Sequence, residues 1–136
     1  MLSRVFWAAA AVALFSLMLS SLFRDREYKF EFQVKGTDAA PSATGHLRWV
    51  DRDVKLEIEG LPALPSGKAY QLWQIGPEGP KPVPAATFTL DSKGELHGVD
   101  RMKYQIAKGQ TFALTVEPLR GSKSPTMPIF LVGQVN

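Results

Sequence analysis

Tyr28-Lys29-Phe30-Glu31-Phe32-Gln33-Val34 decides the fold. Large apolar side chains alternate with charged or amide ones. A period of two places each set on one side of an extended strand, one side dry and one wet. The same alternation recurs along the chain. Leu47 and Trp49 alternate with His46 and Arg48, and Val54, Leu56 and Ile58 with Lys55, Glu57 and Glu59. Asp51-Arg52-Asp53 between them reads as a hairpin turn. Phe112, Leu114 and Val116 repeat the pattern, and further strands are expected at 69–75, 86–90, 95–99 and 129–135. Pro62 and Pro65 make residues 60–67 a loop, because proline cannot donate within a central strand. Pro77, Pro80, Pro82 and Pro84 predict a second, stiff loop over 77–84. Seven or eight short strands with regular turn signals predict an all-β fold, an antiparallel β-sandwich.

Upstream the period changes. Residues 5–23 form a run of nineteen residues without a charge. A membrane-spanning helix needs about 20 such residues, so one N-terminal transmembrane helix is expected there. Trp7, Ala8, Ala11 and Phe15 are its candidate packing positions; the small Ala8 and Ala11 let a neighbouring helix approach closely. The rival reading, a cleaved signal peptide, expects an apolar core of about 7–15 residues and a small-residue cleavage site. Leu19 or Met18 at the −3 position fits that poorly. The expected organisation is a cytoplasmic stub at 1–4, a span at 5–23 and one domain at 24–136.

Composition excludes several classes. There are no cysteines, so disulfides, thiolate metal sites and cysteine nucleophiles are ruled out. Sixteen Lys+Arg against thirteen Asp+Glu give a net charge of +3, too mild for a nucleic-acid footprint. The only histidines, His46 and His97, stand in separate segments and read as solvated side chains. Asp51 and Asp53 lack the remaining oxygen ligands of a calcium loop. No cofactor and no metal is expected.

Two motifs carry a resemblance. The first runs Gly60-Leu61-Pro62-Ala63-Leu64-Pro65-Ser66-Gly67-Lys68-Ala69-Tyr70-Gln71-Leu72-Trp73-Gln74-Ile75. The second contains Thr115-Val116-Glu117-Pro118 followed by Gly121, Ser122, Pro125 and Thr126. Together they resemble the anti-sigma-K factor C-terminal domain. The resemblance implies an extracytoplasmic β-sandwich behind one membrane helix, hence a domain in the periplasm or outside, with the N-terminus in the cytoplasm. The flanking charges argue the other way: Arg24, Arg26 and Lys29 follow the apolar run, and Arg4 precedes it. Family members carry a cytoplasmic sigma-binding domain ahead of the helix. Only Met1 to Arg4 stand there in this sequence, so direct sigma-factor binding by this chain is not expected.

Each motif residue has a structural reading. Glu117 is expected to accept hydrogen bonds from the Gly121–Ser122 backbone or from Thr126, because no second group nominates itself for acid–base work. Gln71 is expected to satisfy loop backbone. Tyr70 and Trp73 fall on opposite faces of their strand, so at least one is core. Pro80, Lys81, Arg120 and Lys123 are candidate partner contacts on loops. The expected function is that of a non-enzymatic, single-span interaction module serving as an accessory subunit of a larger membrane protein complex. The alternative is a regulatory or sensory envelope protein acting with a separately encoded sigma-binding chain.

Overall fold

A computed structural model of the chain describes residues 28–77 and 81–136. The expected transmembrane run, with Trp7, Ala8, Ala11 and Phe15, lies outside the described residues, as does Pro80. No helix among the described residues is long and apolar enough to cross a membrane.

Eight strands follow one another: β1 (Phe30–Gly36), β2 (Thr44–Val50), β3 (Asp53–Glu59), β4 (Lys68–Ile75), β5 (Val83–Phe88), β6 (Leu96–Arg101), β7 (Thr111–Pro118) and β8 (Leu131–Gln134). All pairings are antiparallel. Alternation does the local work. Phe32 and Val34 on β1 are buried while Glu31, Gln33 and Lys35 are exposed, and Val54, Leu56 and Ile58 on β3 are buried in the same rhythm. Asp51 takes the left-handed conformation (φ 53) in the two-residue turn that pairs Val50 with Asp53. Aspartate tolerates that region better than most residues.

The expected pair of sheets is corrected. The strands form one sheet in the order β5-β4-β7-β8-β1-β2-β3-β6, which curls until it is nearly closed. Alternation reports which face of a strand is dry. It carries no information on how the strands close around that face. Two places keep a trace of the sandwich. β8 meets β1 over only two residue pairs, Lys35 with Val132 and Gly36 with Leu131. The edge strands β5 and β6 meet through side chains: Asp100 Oδ2 accepts the Ala86 N–H at 2.8 Å, and the Phe88 ring lies against Gly98. The barrel is thus two four-stranded leaves joined at two narrow seams.

β5 also begins earlier than expected and includes Pro84. An edge strand can hold a proline because one side of it needs no ladder bond. A Cβ at Gly98 would collide with the Phe88 ring. Gly98→Ala is therefore expected to push the ring off the seam and lower stability by about 1–3 kcal/mol. A denaturation midpoint equal to the parent's would show that Phe88 does not close the barrel.

The interior is apolar. Phe32, Val34, Leu47, Leu56, Tyr70, Leu72, Leu96, Phe112, Leu114 and Leu131 form one cluster. The outer face of β1, β2 and β3 is ionic. Glu31 bonds Arg48 at 2.7 Å and lies 2.8 Å from His46, and Arg48 reaches Glu57 at 3.2 Å. The Arg48 hydrogen bond holds the Glu31 carboxyl below the usual carboxylate range. Exposed pairs of this kind add little stability each.

Candidate functional site

β4 and β7 lie side by side, with Gln71 opposite Thr115 and Trp73 opposite Ala113. On the inner face of β4, Tyr70 and Leu72 join the core. The outer face would normally be wet. Instead Gln71, Trp73, Thr115 and Glu117 are all buried there. Residues 119–128, between β7 and β8, form a strap bonded to this face. Tyr70 and Trp73 are therefore both fully buried, on opposite sides of one strand. Tyr70 donates to the Pro62 carbonyl at 2.6 Å, and burial pushes its phenol up to about 12.

The strap starts with a tight turn. Gly121 takes a left-handed conformation (φ 81), and its N–H bonds the Pro118 carbonyl at 2.7 Å. The turn brings Ser122 over Gln71. The Gln71 amide then holds both ends of that residue: Oε1 accepts the Ser122 N–H at 2.8 Å, and Nε2 donates to the Ser122 carbonyl at 3.1 Å.

Below the strap runs a chain of hydrogen bonds. Trp73 Nε1 donates to Thr115 Oγ1 at 2.8 Å, and Thr115 Oγ1 donates to Glu117 Oε1 at 2.6 Å. Ser122 Oγ donates to Glu117 Oε2 at 2.7 Å. Thr126 donates twice, from N–H to Oε1 at 2.6 Å and from Oγ1 to Oε2 at 2.9 Å. Burial pushes the Glu117 carboxyl up, but the four donors outweigh it and hold the group below the usual carboxylate range. The carboxylate is ionised and its lone pairs are occupied by neutral donors. It is built to pin the strap rather than to move a proton. The sequence nominates Thr126. It does not nominate the Ser122 hydroxyl or the Trp73–Thr115 link, because both depend on how the strap lies over the registered strands.

The remaining motif residues frame this arrangement. Leu61 is buried, Gly60 and Gly67 turn with positive φ, and the Pro65 carbonyl accepts the Lys68 N–H at 3.2 Å. The Gly67 carbonyl accepts the Leu119 N–H at 3.2 Å, so the two motifs touch at the end of the barrel. Pro118 ends β7, and Pro125 is half-buried in the strap.

Arg120 and Lys123 stand on the strap and, with Pro84, Ala85 and Thr87 of β5, line an open groove of about 640 Å³. Lys81 is not with them. It borders a separate cavity with Gln74 and Tyr104, toward the other end of the barrel. A third feature gathers Asp91, Glu95 and His97, whose polar atoms lie within 4.8 Å of one another. Asp91 and His97 are exposed and Glu95 is half-buried, and Asp91 Oδ1 already accepts the Glu95 and Lys93 N–H groups.

A family model described as "Anti-sigma-K factor rskA, C-terminal" matches residues 5–129. Proteins named Anti-sigma-K factor RskA from Mycobacterium sp. strains KMS, JLS and MCS are each 36% identical over 81 residues. Those residues are 59% of this chain and 32% of each relative, so the match spans about a third of the relatives' length. No solved structure matches. The two motifs, the strap they build and the match over most of the sequence agree: the chain belongs to the family of the anti-sigma-K factor C-terminal domain.

Proposed function

We propose that this barrel is the extracytoplasmic interaction module of an anti-sigma-type membrane regulator. Residues 5–23 anchor it in the cytoplasmic membrane with the N-terminus in the cytoplasm, and residues 24–136 stand outside. The groove between the strap and β5 carries the reading. It is open, bordered by Arg120 and Lys123, and lies beside a strap that three hydrogen bonds to Glu117 hold in one conformation. A preorganised surface loses little entropy on binding, and two cations suit an acidic segment of a partner. Glu117 has no lone pair left for catalysis, which favours binding over chemistry.

The test is co-purification from native membranes in a mild detergent, through a C-terminal tag on the full chain. A chain that binds a sigma factor is expected in the eluate and is expected to be lost when Arg120 and Lys123 are both changed to Glu. Retention of that chain by the double variant would remove the groove from the proposal. A large stoichiometric membrane assembly in its place would make the protein an accessory subunit instead.

A further inference from the structure

The strand register sorts the loops to two ends. β1 starts, β2 ends, β3 starts and β6 ends at one of them, because Phe30 pairs with Trp49 and Asp53 with Arg101. β4 ends, β7 starts and β8 ends there too, through Ile75–Thr111–Gln134. The chain enters at this end from the apolar run. Seven residue steps separate Phe23 from Phe30, a reach of at most about 25 Å. The strap begins at the opposite end, where Pro118 pairs with Lys68.

The entry end has its own chemistry. Phe30 is 56% exposed and stacks on Trp49 with ring centroids 5.1 Å apart, and Tyr104 is 50% exposed. Lys103 Nζ lies 5.4 Å from the Tyr104 ring centroid. Lys29, Arg52, Lys103 and Lys108 belong to the segments at this end, as do Asp51, which is exposed, and Asp53, which bonds Arg101 at 3.2 Å. The surface is held together. Arg52 bonds the Lys103 carbonyl at 3.3 Å, the Met102 N–H bonds the Arg52 carbonyl at 2.7 Å, and Gln74 binds Tyr104 backbone at both N–H and carbonyl. Exposed aromatic rings on an end that also carries Lys and Arg suit the headgroup layer of a bilayer.

We infer that this end of the barrel rests on anionic lipid headgroups through Phe30, Tyr104, Lys103, Lys108, Lys29 and Arg52. The inference rests on the anchored reading above and deepens it: the domain does not swing freely but is seated, with the strap groove on its side wall. The occupant is lipid because the chain leads from this end into its own apolar run and because the cations Lys29, Arg52, Lys103 and Lys108 outnumber the acidic Asp51 and Asp53 there.

The full chain is reconstituted in vesicles of phosphatidylcholine alone and in an equal mixture with phosphatidylglycerol, and backbone amide exchange is followed by mass spectrometry. Amides of residues 102–108 are expected to exchange roughly tenfold more slowly in the mixed vesicles, since each Lys or Arg near an anionic surface is worth about fivefold in occupancy. Amides of β7 should not change. Lys103→Glu with Lys108→Glu, both exposed positions, should abolish the difference while leaving β7 as in the parent, which shows that the variant is folded. Equal exchange in the two vesicles overturns the inference but leaves the anchor. Slowing that follows protein density instead of lipid charge assigns the face to a second copy and also overturns it. A chain that fails to float with either vesicle overturns the anchored reading itself.

Discussion

Glu117→Ala is expected to cost about 3–5 kcal/mol of folding stability, because hydrogen bonds to a charged acceptor are worth about 1.5–3 kcal/mol each and the strap donors regain part of the loss from water. The side chain is fully buried, and four donors end on it. Removing it leaves the Thr115, Ser122 and Thr126 donors without their acceptor, and the buried Thr115 hydroxyl, which water cannot reach, adds most to the loss. Glu117→Gln should recover little, because its amide turns a donor toward donors. The measurement is urea denaturation of the full chain in detergent, followed by circular dichroism. A loss under about 1 kcal/mol would mean that the strap is held by its other contacts. The sign with pH follows from the lowered carboxyl. The unfolded chain takes up a proton near the ordinary value of 4.5, before the folded one does. The Glu117 contribution is therefore complete above that pH and is lost as the pH falls through the lower folded value. The Glu117→Ala variant should lack this part of the acid dependence.

Trp73→Ala is expected to cost a similar amount, about 3–5 kcal/mol, for a different reason. The ring is fully buried on the outer face of β4, so its loss leaves a void beneath the strap. It also removes the indole donor to Thr115 Oγ1. Trp73→Phe separates the two effects: it keeps most of the volume and should cost about 1 kcal/mol for the hydrogen bond. Losses from Trp73→Ala and Glu117→Ala should sum to more than the double variant shows, because Thr115 belongs to both interactions. A negligible change in the melting of Trp73→Ala would remove Trp73 from the barrel's supporting structure.

The strands were legible because β1, β2 and β3 have one wet face, and a period of two is visible wherever that is so. β4 defeats the same rule. Tyr70, Gln71, Leu72 and Trp73 are buried in succession because the strap dries the outer side. Four prolines hid the start of β5, where an edge position tolerates Pro84. Closure into a barrel was illegible because it depends on β8 meeting β1, at opposite ends of the sequence, and on side-chain contacts between the edge strands β5 and β6. The site was legible in part. Gln71 and Glu117 could be read as satisfying a loop, since a buried amide and carboxylate must find partners. The path from Trp73 through Thr115 to Glu117 could not, because Trp73 and Thr115 meet only through the register of β4 on β7. The Gln74, Tyr104 and Gln110 contacts gave no signal, since a glutamine near a strand end reads as solvent-facing.

The two narrow seams have a mechanical consequence. A pull on the chain ahead of β1 enters the barrel at Phe30 and runs along β1. β1 is joined to β2 by six residue pairs but to β8 by two. Force along the strand axis loads those six pairs together in shear, whereas force across the barrel meets only the two-pair joint and the side-chain clasp at Asp100 and Phe88. The domain is stiff along the direction in which a membrane tether would pull it and compliant across it. The rupture force measured from the N-terminal side therefore reports the β1–β2 ladder, and the softness of the seams is felt only sideways.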